Sequence, residues 1–173
     1  MTLADVLELL NLADEARAEL WVDGGWAVDA VLGEQTREHN DLDILIERRY
    51  ERAFAEALRL HGFRPVGRSD TRAWNYVLGD DHGREVDFHV IECRPDGDWD
   101  YGPHGGPPED VIPGHALSGQ GLIGSRHVRC VTPEEQVRYH GYGVDDNDWS
   151  DVQALCARFG IAIPSDYRRF TTA

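Results

Sequence analysis

Apolar residues recur at helical spacing at Leu3, Val6, Leu7, Leu9, Leu10 and Ala13, which predicts an amphipathic helix over residues 2–19. "ELWVDGG" then reads as a short strand broken by glycines, and residues 25–32 return to helical character. "HNDLDILIE" reads as a strand beside the turn-forming Asn40, and Tyr50 to His61 as a helix stopped by Gly62 at its C′ position. "FRPVGR", "AWNYVLG" and "REVDFHVIE" carry strand signals, with "GDDHG" as a hairpin turn between the last two. In the last of these, Val86, Phe88 and Val90 share one face while Glu85, Asp87 and His89 share the other.

The pattern fades over residues 95–121, where Gly and Pro dominate. That length leaves a binding loop and a connecting segment equally open. "HVRCVTPEEQVRYH" then predicts a strand running into a helix, with Thr132 as N-cap, Pro133 at the first helical position and Glu135 completing a capping box. A last helix is expected from about Asp148 to Phe159, closed by Gly160, with Asp148 and Asp151 capping its positive end.

Two aspartates interrupt the most apolar of these strands. Residues two apart on a strand project from the same face about 6.5–7 Å apart, so Asp41 and Asp43 lean onto a common site. Two like charges beside a buried strand are costly unless a cation compensates, and Mg²⁺, a hard ion that takes carboxylate oxygens, is the natural one. Asp87, on the polar face of another strand, supplies a third carboxylate. Gly24 and Gly25 stand at a strand-to-helix turn, where backbone N–H groups and the positive helix end can cradle an anion. Together these five residues make an anion cradle, a metal clamp and a proton acceptor, the parts that phosphoryl or nucleotidyl transfer needs.

Charge and composition sharpen this. Lys and Arg total 17 against 32 Asp and Glu, a formal net charge of -15, which repels nucleic acid and suits small cations and divalent metals. The three cysteines have neither disulfide nor zinc spacing. The carboxylates within the N-terminal apolar pattern argue against a signal peptide or a membrane span, so a cytoplasmic protein without membrane contact is expected.

"WVDGGWAVDAVLGEQTREHNDLDI" resembles the nucleotidyltransferase core of the antibiotic nucleotidyltransferases, with a Gly-Gly turn before an Asp-x-Asp pair. The likeness is strongest to the small lincosamide nucleotidyltransferases, then to the aminoglycoside 2″-nucleotidyltransferases. "EVDFHV" resembles their third-carboxylate strand, and "VRCVTPEEQVRYHGYGVDDNDWSDVQAL" their C-terminal segment. Trp26 departs from the Ser that many relatives of the wider superfamily carry, which leaves more of the phosphate binding to backbone N–H groups.

The resemblance implies an α/β (α+β) fold: a nucleotidyltransferase-like core with a short mixed sheet packed by helices, over residues 1–95. A Gly/Pro-rich loop at 96–125 and a small C-terminal helical part at 126–173 would complete it. It implies that Asp41, Asp43 and Asp87 bind Mg²⁺, with Asp87 as base, and that Gly24, Gly25 and Arg37 handle the phosphates of ATP or another NTP. His89 is the rival base or a substrate ligand. Trp74 and Tyr76 on their strand, and Tyr139, His140 and Tyr142 in the C-terminal segment, are candidate acceptor contacts. The implied acceptor is a hydroxyl of a lincosamide-type antibiotic, with an aminoglycoside or a regulatory, toxin–antitoxin role as alternatives; monomer and homodimer are both open.

Overall fold

The computed structural model describes residues 1–102, 111–140 and 146–170. The expected helices form at Leu3–Glu15 (α1), Gly24–Leu32 (α2), Arg48–Leu60 (α3), Pro133–Tyr139 (α4) and Asp146–Phe159 (α5). The strands are Leu20–Val22 (β1), Asp41–Glu47 (β2), Arg64–Val66 (β3), Asn75–Gly79 (β4), Glu85–Cys93 (β5), Trp99–Tyr101 (β6), Val111–Ile112 (β7), Gly119–Ile123 (β8) and Arg126–Cys130 (β9).

They join one mixed sheet in the order β3-β4-β5-β2-β1-β9-β8, with β6 pairing β5 and β7. β2 and β5 run parallel; β1 pairs β2 antiparallel. The sheet is therefore wider than a short core sheet. The Gly/Pro-rich stretch expected as a loop over 96–125 contributes β6, β7 and β8, and β9 of the expected C-terminal helical part pairs with β1 through Val22 and Cys130. β9 is the strand expected from "HVRC"; β6, β7 and β8 are hidden because they are short, two to five residues, and lie in a stretch too rich in Gly and Pro to show alternation. Residues 103–110 of that stretch, and Tyr142, lie outside the described residues.

One face of the sheet is core. Leu42, Ile44 and Ile46 of β2 and Val86, Phe88 and Val90 of β5 are fully buried against Val6 and Leu9 of α1 and Phe54 and Leu58 of α3. That face is what the apolar alternation in the sequence encodes. The other face carries a smaller apolar cluster around Trp21, Leu45, Ile91 and Val131. Beside it lie the residues that alternate with the core positions, Asp41, Asp43, Asp87 and His89.

Two local expectations fail for identifiable reasons. Thr132 is the N-cap of α4 but no capping box forms: its hydroxyl makes no capping bond, its N–H donates to the Ala116 carbonyl at 2.8 Å, and the Glu135 carboxylate is drawn to Arg138 Nε at 2.5 Å and to His115 at 3.4 Å. Asp151 does not cap α5: it is 2% exposed and pairs with Arg37, 114 residues earlier.

The connection from α2 to β2 is organised by Asp29, 3% exposed. Its carboxylate accepts from Thr36 N at 2.9 Å, from Thr36 Oγ1 at 2.7 Å and meets His39 Nε2 at 2.5 Å. His39 is thus a structural histidine that fixes the entry to β2. Removing this acceptor strands the buried His39 ring and releases both donors of Thr36, so Asp29→Ala should lower stability by about 2–4 kcal/mol. Asp29→Asn, which keeps one carbonyl acceptor, should lose less. Urea unfolding of the two variants, at an unchanged denaturant slope, checks the difference.

Candidate active site

Strand register builds the site. Asp43 of β2 lies directly opposite Asp87 of β5, and Leu45 opposite His89. On the far side of β2, Trp21 lies opposite Leu45, and the Asp23 N–H donates to the Asp43 carbonyl at 2.9 Å. On the far side of β5, Asn75 of β4 lies opposite His89. Asp23, Asp43 and Asp87 therefore stand in one row, and Trp21, Leu45, His89 and Asn75 in the next.

One carboxylate oxygen each from Asp43 and Asp87, and one ring nitrogen of His89, lie within 4.8 Å of one another. Asp41 shares the face, one pleat along, outside that tight group. His89 Nε2 lies 3.7 Å from Asp43 Oδ1. Asp87 Oδ1 is buried with no hydrogen-bond partner.

The charges respond as crowded carboxylates must. Burial, reinforced by Asp43 and Asp41, pushes the Asp87 carboxyl up to about 6 against the opposing pull of His89. Burial also raises Asp41 and Asp23, each with Asp43 adding to the rise. Burial alone would lower His89, but its bond to Asp43 and the charges of Asp87, Asp43 and Asp23 prevail and raise it to about 9. Near neutral pH the ring is therefore a cation among carboxylates.

Gly24 and Gly25 open α2, and the lack of a side chain is a steric requirement at both. A Cβ on Gly24, whose φ is +56°, would sit 2.1 Å from Asp43 Oδ2; a Cβ on Gly25 would sit 2.2 Å from His39 Nδ1 and 2.7 Å from Arg37 Nη2. The turn thus packs directly on the second aspartate on one side and on Arg37 on the other. Arg37 is held in a fork: Nε and Nη2 donate to the Asp151 carboxylate at 3.1 Å and 2.7 Å. Burial opposes ionisation of Asp151, but bonds from His140 and Arg37 win and hold it below the usual carboxylate range.

Two openings flank this machinery. A cavity of about 640 Å³ is lined by Asp23, His89, Asn75, Tyr101, Tyr139 and Arg138, with Leu45, Val111 and Ile112 as apolar wall. A smaller one, about 210 Å³, is bounded by Gly24, Asp43, His140 and Asp148, and shares Asp23, His89 and Tyr139 with the first. Of the acceptor candidates expected from the sequence, His89, Tyr139 and His140 reach these openings. Trp74 and Tyr76 pack instead against the core: Tyr76 stacks on Phe88 at 4.8 Å and its hydroxyl donates to Glu51. Between them Asn75 faces the cavity, so β4 alternates in the phase opposite to the one expected. Asp23, Asn75, Tyr101 and Asp151 join the site without having been candidates; only Asp23, adjoining the glycine pair, carries a local signal.

The sequence profile of the aminoglycoside-2″-adenylyltransferases matches residues 5–155. The chain belongs to that family. It is 26% identical over 158 residues to a lincosamide resistance protein of Staphylococcus haemolyticus, covering 90% of this chain and 94% of that one. It is 32% identical over 148 residues to a 2″-aminoglycoside nucleotidyltransferase of Escherichia coli, covering 80% and 72%. Its fold matches the crystal structure of the lincosamide antibiotic adenylyltransferase LnuA bound to lincomycin with a TM-score of 0.77 and 26% identity, over 90% of this chain and 96% of that one. The nucleotidyltransferase fold and activity expected from the Gly-Gly and Asp-x-Asp motifs hold, and a nucleoside triphosphate is the family's co-substrate. Among the described residues no helix is long and apolar enough to cross a membrane.

Since the Gly24 site leaves no room for a side chain, Gly24→Ala should displace Asp43 as well as strain the backbone. The expected cost is about 1–2 kcal/mol of stability but roughly 10²-fold in nucleotidyl transfer. Melting curves and turnover measured on the same preparation separate the two effects.

Proposed function

We propose that the enzyme transfers AMP from Mg²⁺–ATP to a hydroxyl of a lincosamide-type antibiotic in the cytoplasm, releasing pyrophosphate. The observation that carries this is the large cavity opening onto the carboxylate row. Its volume suits a drug-sized ligand, and it sets an apolar wall of Leu45, Val111 and Ile112 against a few polar groups. Such a wall fits an acceptor with an apolar part and few charges. Among the described residues Asp23 and Asp70 are the two carboxylates that line it, fewer than a polycation would call for. The aminoglycoside reading draws its support from the net charge of -15 and the 32% identity.

The residues fit a divalent cation. Asp43 and Asp87 face each other as like charges, the buried Asp87 oxygen lacks a partner, and carboxylate oxygens are the donors Mg²⁺ prefers. Asp43 and Asp87 would hold it with Asp41 beside them, and once bound it would neutralise the phosphate charge that the row otherwise repels. The imidazole of His89 is a poorer partner for so hard an ion.

In the transfer, the acceptor oxygen forms a bond to the α-phosphorus as the bond from that phosphorus to the bridging oxygen of pyrophosphate breaks. Asp87 takes the hydroxyl proton. A carboxylate raised to about 6 by burial is a better proton acceptor than an exposed one, yet is mostly ionised at neutral pH. In the metal-free site His89, raised to about 9 by Asp43, Asp87 and Asp23, already carries its proton, which favours Asp87 as the base. The N–H groups at the start of α2, with Gly24 and Gly25 clearing the approach, and the Arg37 guanidinium would orient the phosphates.

Mass spectrometry of wild-type protein with Mg²⁺–ATP and a panel of lincosamides and aminoglycosides tests the proposal: an AMP adduct on a lincosamide is expected, and adducts on aminoglycosides alone would transfer the assignment to them. ATP affinity measured by calorimetry should fall steeply when EDTA removes the metal; equal binding with and without it would remove Mg²⁺ from the scheme.

Asp87→Asn should lower the rate by roughly 10² to 10⁴, without full rescue by excess Mg²⁺. The base must be deprotonated, so wild-type rate should fall as pH drops through the Asp87 value. A bound cation favours the ionised form and moves that limb below about 6. Acid-side profiles for wild type and His89→Asn check the assignment, since loss of the limb in His89→Asn would make the histidine the base.

A further inference from the structure

Three neighbouring strands deliver Asn75, His89 and Tyr101 to one face of the sheet. Asn75 and His89 are a cross-strand pair, and Tyr101 pairs with Ile91, two residues along β5 from His89. Their polar atoms form a chain whose direction can be read. Asn75 Nδ2 donates to Asp70 Oδ2 at 3.2 Å and toward its carbonyl at 3.4 Å. That leaves Asn75 Oδ1 to accept, and the Tyr101 hydroxyl donates to it at 2.8 Å. The phenol has then committed its one proton, so its oxygen accepts from His89 Nδ1, 3.1 Å away. The opposite ring edge, Nε2, is turned toward Asp43.

We infer that Tyr101 and Asn75 are positioning residues that act through His89, fixing Nδ1 as a donor and holding the Nε2 edge at the junction of the acceptor cavity and the carboxylate row. In the protonated ring both nitrogens are donors, so the neutral phenol, as acceptor for Nδ1, fixes which way the ring faces and leaves Nε2 turned toward Asp43. The chain needs no proton exchange with solvent, since each of these donors has its acceptor. Asp70, Asn75, Tyr101 and His89 all line the large cavity, so the acceptor lies alongside the chain that orients the histidine. The kinetic consequence rests on the transfer reaction proposed above; the orientation of the ring does not.

The experiment therefore has two readouts. Proton NMR of protein labelled with ¹⁵N-histidine should show a slowly exchanging Hδ1 of His89 in the wild type. It should be lost in Tyr101→Phe, which keeps the ring and removes the oxygen, and weakened in Asn75→Ala, which frees the phenol proton to turn back toward the imidazole. Persistence of the signal in Tyr101→Phe overturns the inference, whether or not any antibiotic is modified. Kinetically, Tyr101→Phe should lose roughly tenfold in kcat/KM for the acceptor with the KM for ATP unchanged. In a His89→Asn background, followed in single turnovers, the same substitution should cost nothing. An equal loss in both backgrounds, or an equal rise in the KM for ATP, would make Tyr101 a packing residue and defeat the proposal. An absence of any adduct in the wild type, with the NMR pattern intact, would defeat only the acceptor assignment.

Discussion

The parallel pairing of β2 with β5 is the constraint on which the site depends. It sets Asp43 against Asp87 with no freedom to slip, because a shift of one residue would turn Leu42, Ile44 and Ile46 away from the core they fill. The hydrophobic face thus enforces a repulsion on the polar face. Burial, with the crowding of carboxylates added to it, raises Asp87 and Asp41, and the same carboxylates raise His89 against its own burial. A bound divalent cation would relieve the same strain more completely. On the proposed scheme, what the folded chain tolerates as unfavourable charge is what it would gain on binding a metal.

The surrounding groups follow from that row. Gly24 has no side chain because Asp43 occupies the space a Cβ would need. Arg37 packs beside Gly25, and its orientation is fixed from α5 by Asp151, a carboxylate kept ionised by its partners. A net charge of -15 would oppose a triphosphate at long range. The favourable field at the turn is therefore local, made of helix N–H groups and one tethered guanidinium, and it is effective only where those groups point.

Much of this is legible in the sequence, for a physical reason. β2 and β5 alternate strictly, so polar residues in them must share a face, and the alternation alone places Asp41, Asp43 and Asp87 on it. α1 announces itself by its period, and α3 and α5 also by their glycine stops, Gly62 and Gly160. What stays hidden depends on contacts between distant segments. β6, β7 and β8 are short and defined by their partners. Asn75 is obscured because its aromatic neighbours point to the wrong phase of β4, when aromatic bulk on a strand is first of all core material. The pairing of Arg37 with Asp151 spans 114 residues and leaves no local trace; nor does the bond from Thr132 N–H to the Ala116 carbonyl, which takes the donor a capping box would use.

The two rows on the polar face divide the labour. In the proposed scheme the row of Asp23, Asp43 and Asp87 would face nucleotide and metal, whereas the row of Leu45, His89 and Asn75 lies one pleat away, about 6.5–7 Å, along the large cavity that Asp23 also reaches. Residues of the second row, with β6 and β7 at its edge, can differ in size and polarity without disturbing the register that sets the first. A single carboxylate row can in that way serve acceptors as unlike as a lincosamide and an aminoglycoside, since function is carried by the site and not by the fold. His89 is the exception, because it belongs to both rows: its ring faces Asp43 on one edge and Tyr101 on the other. A change there alters recognition and charge at once, which is why its orientation is fixed by neutral groups that leave the balance of the carboxylates untouched.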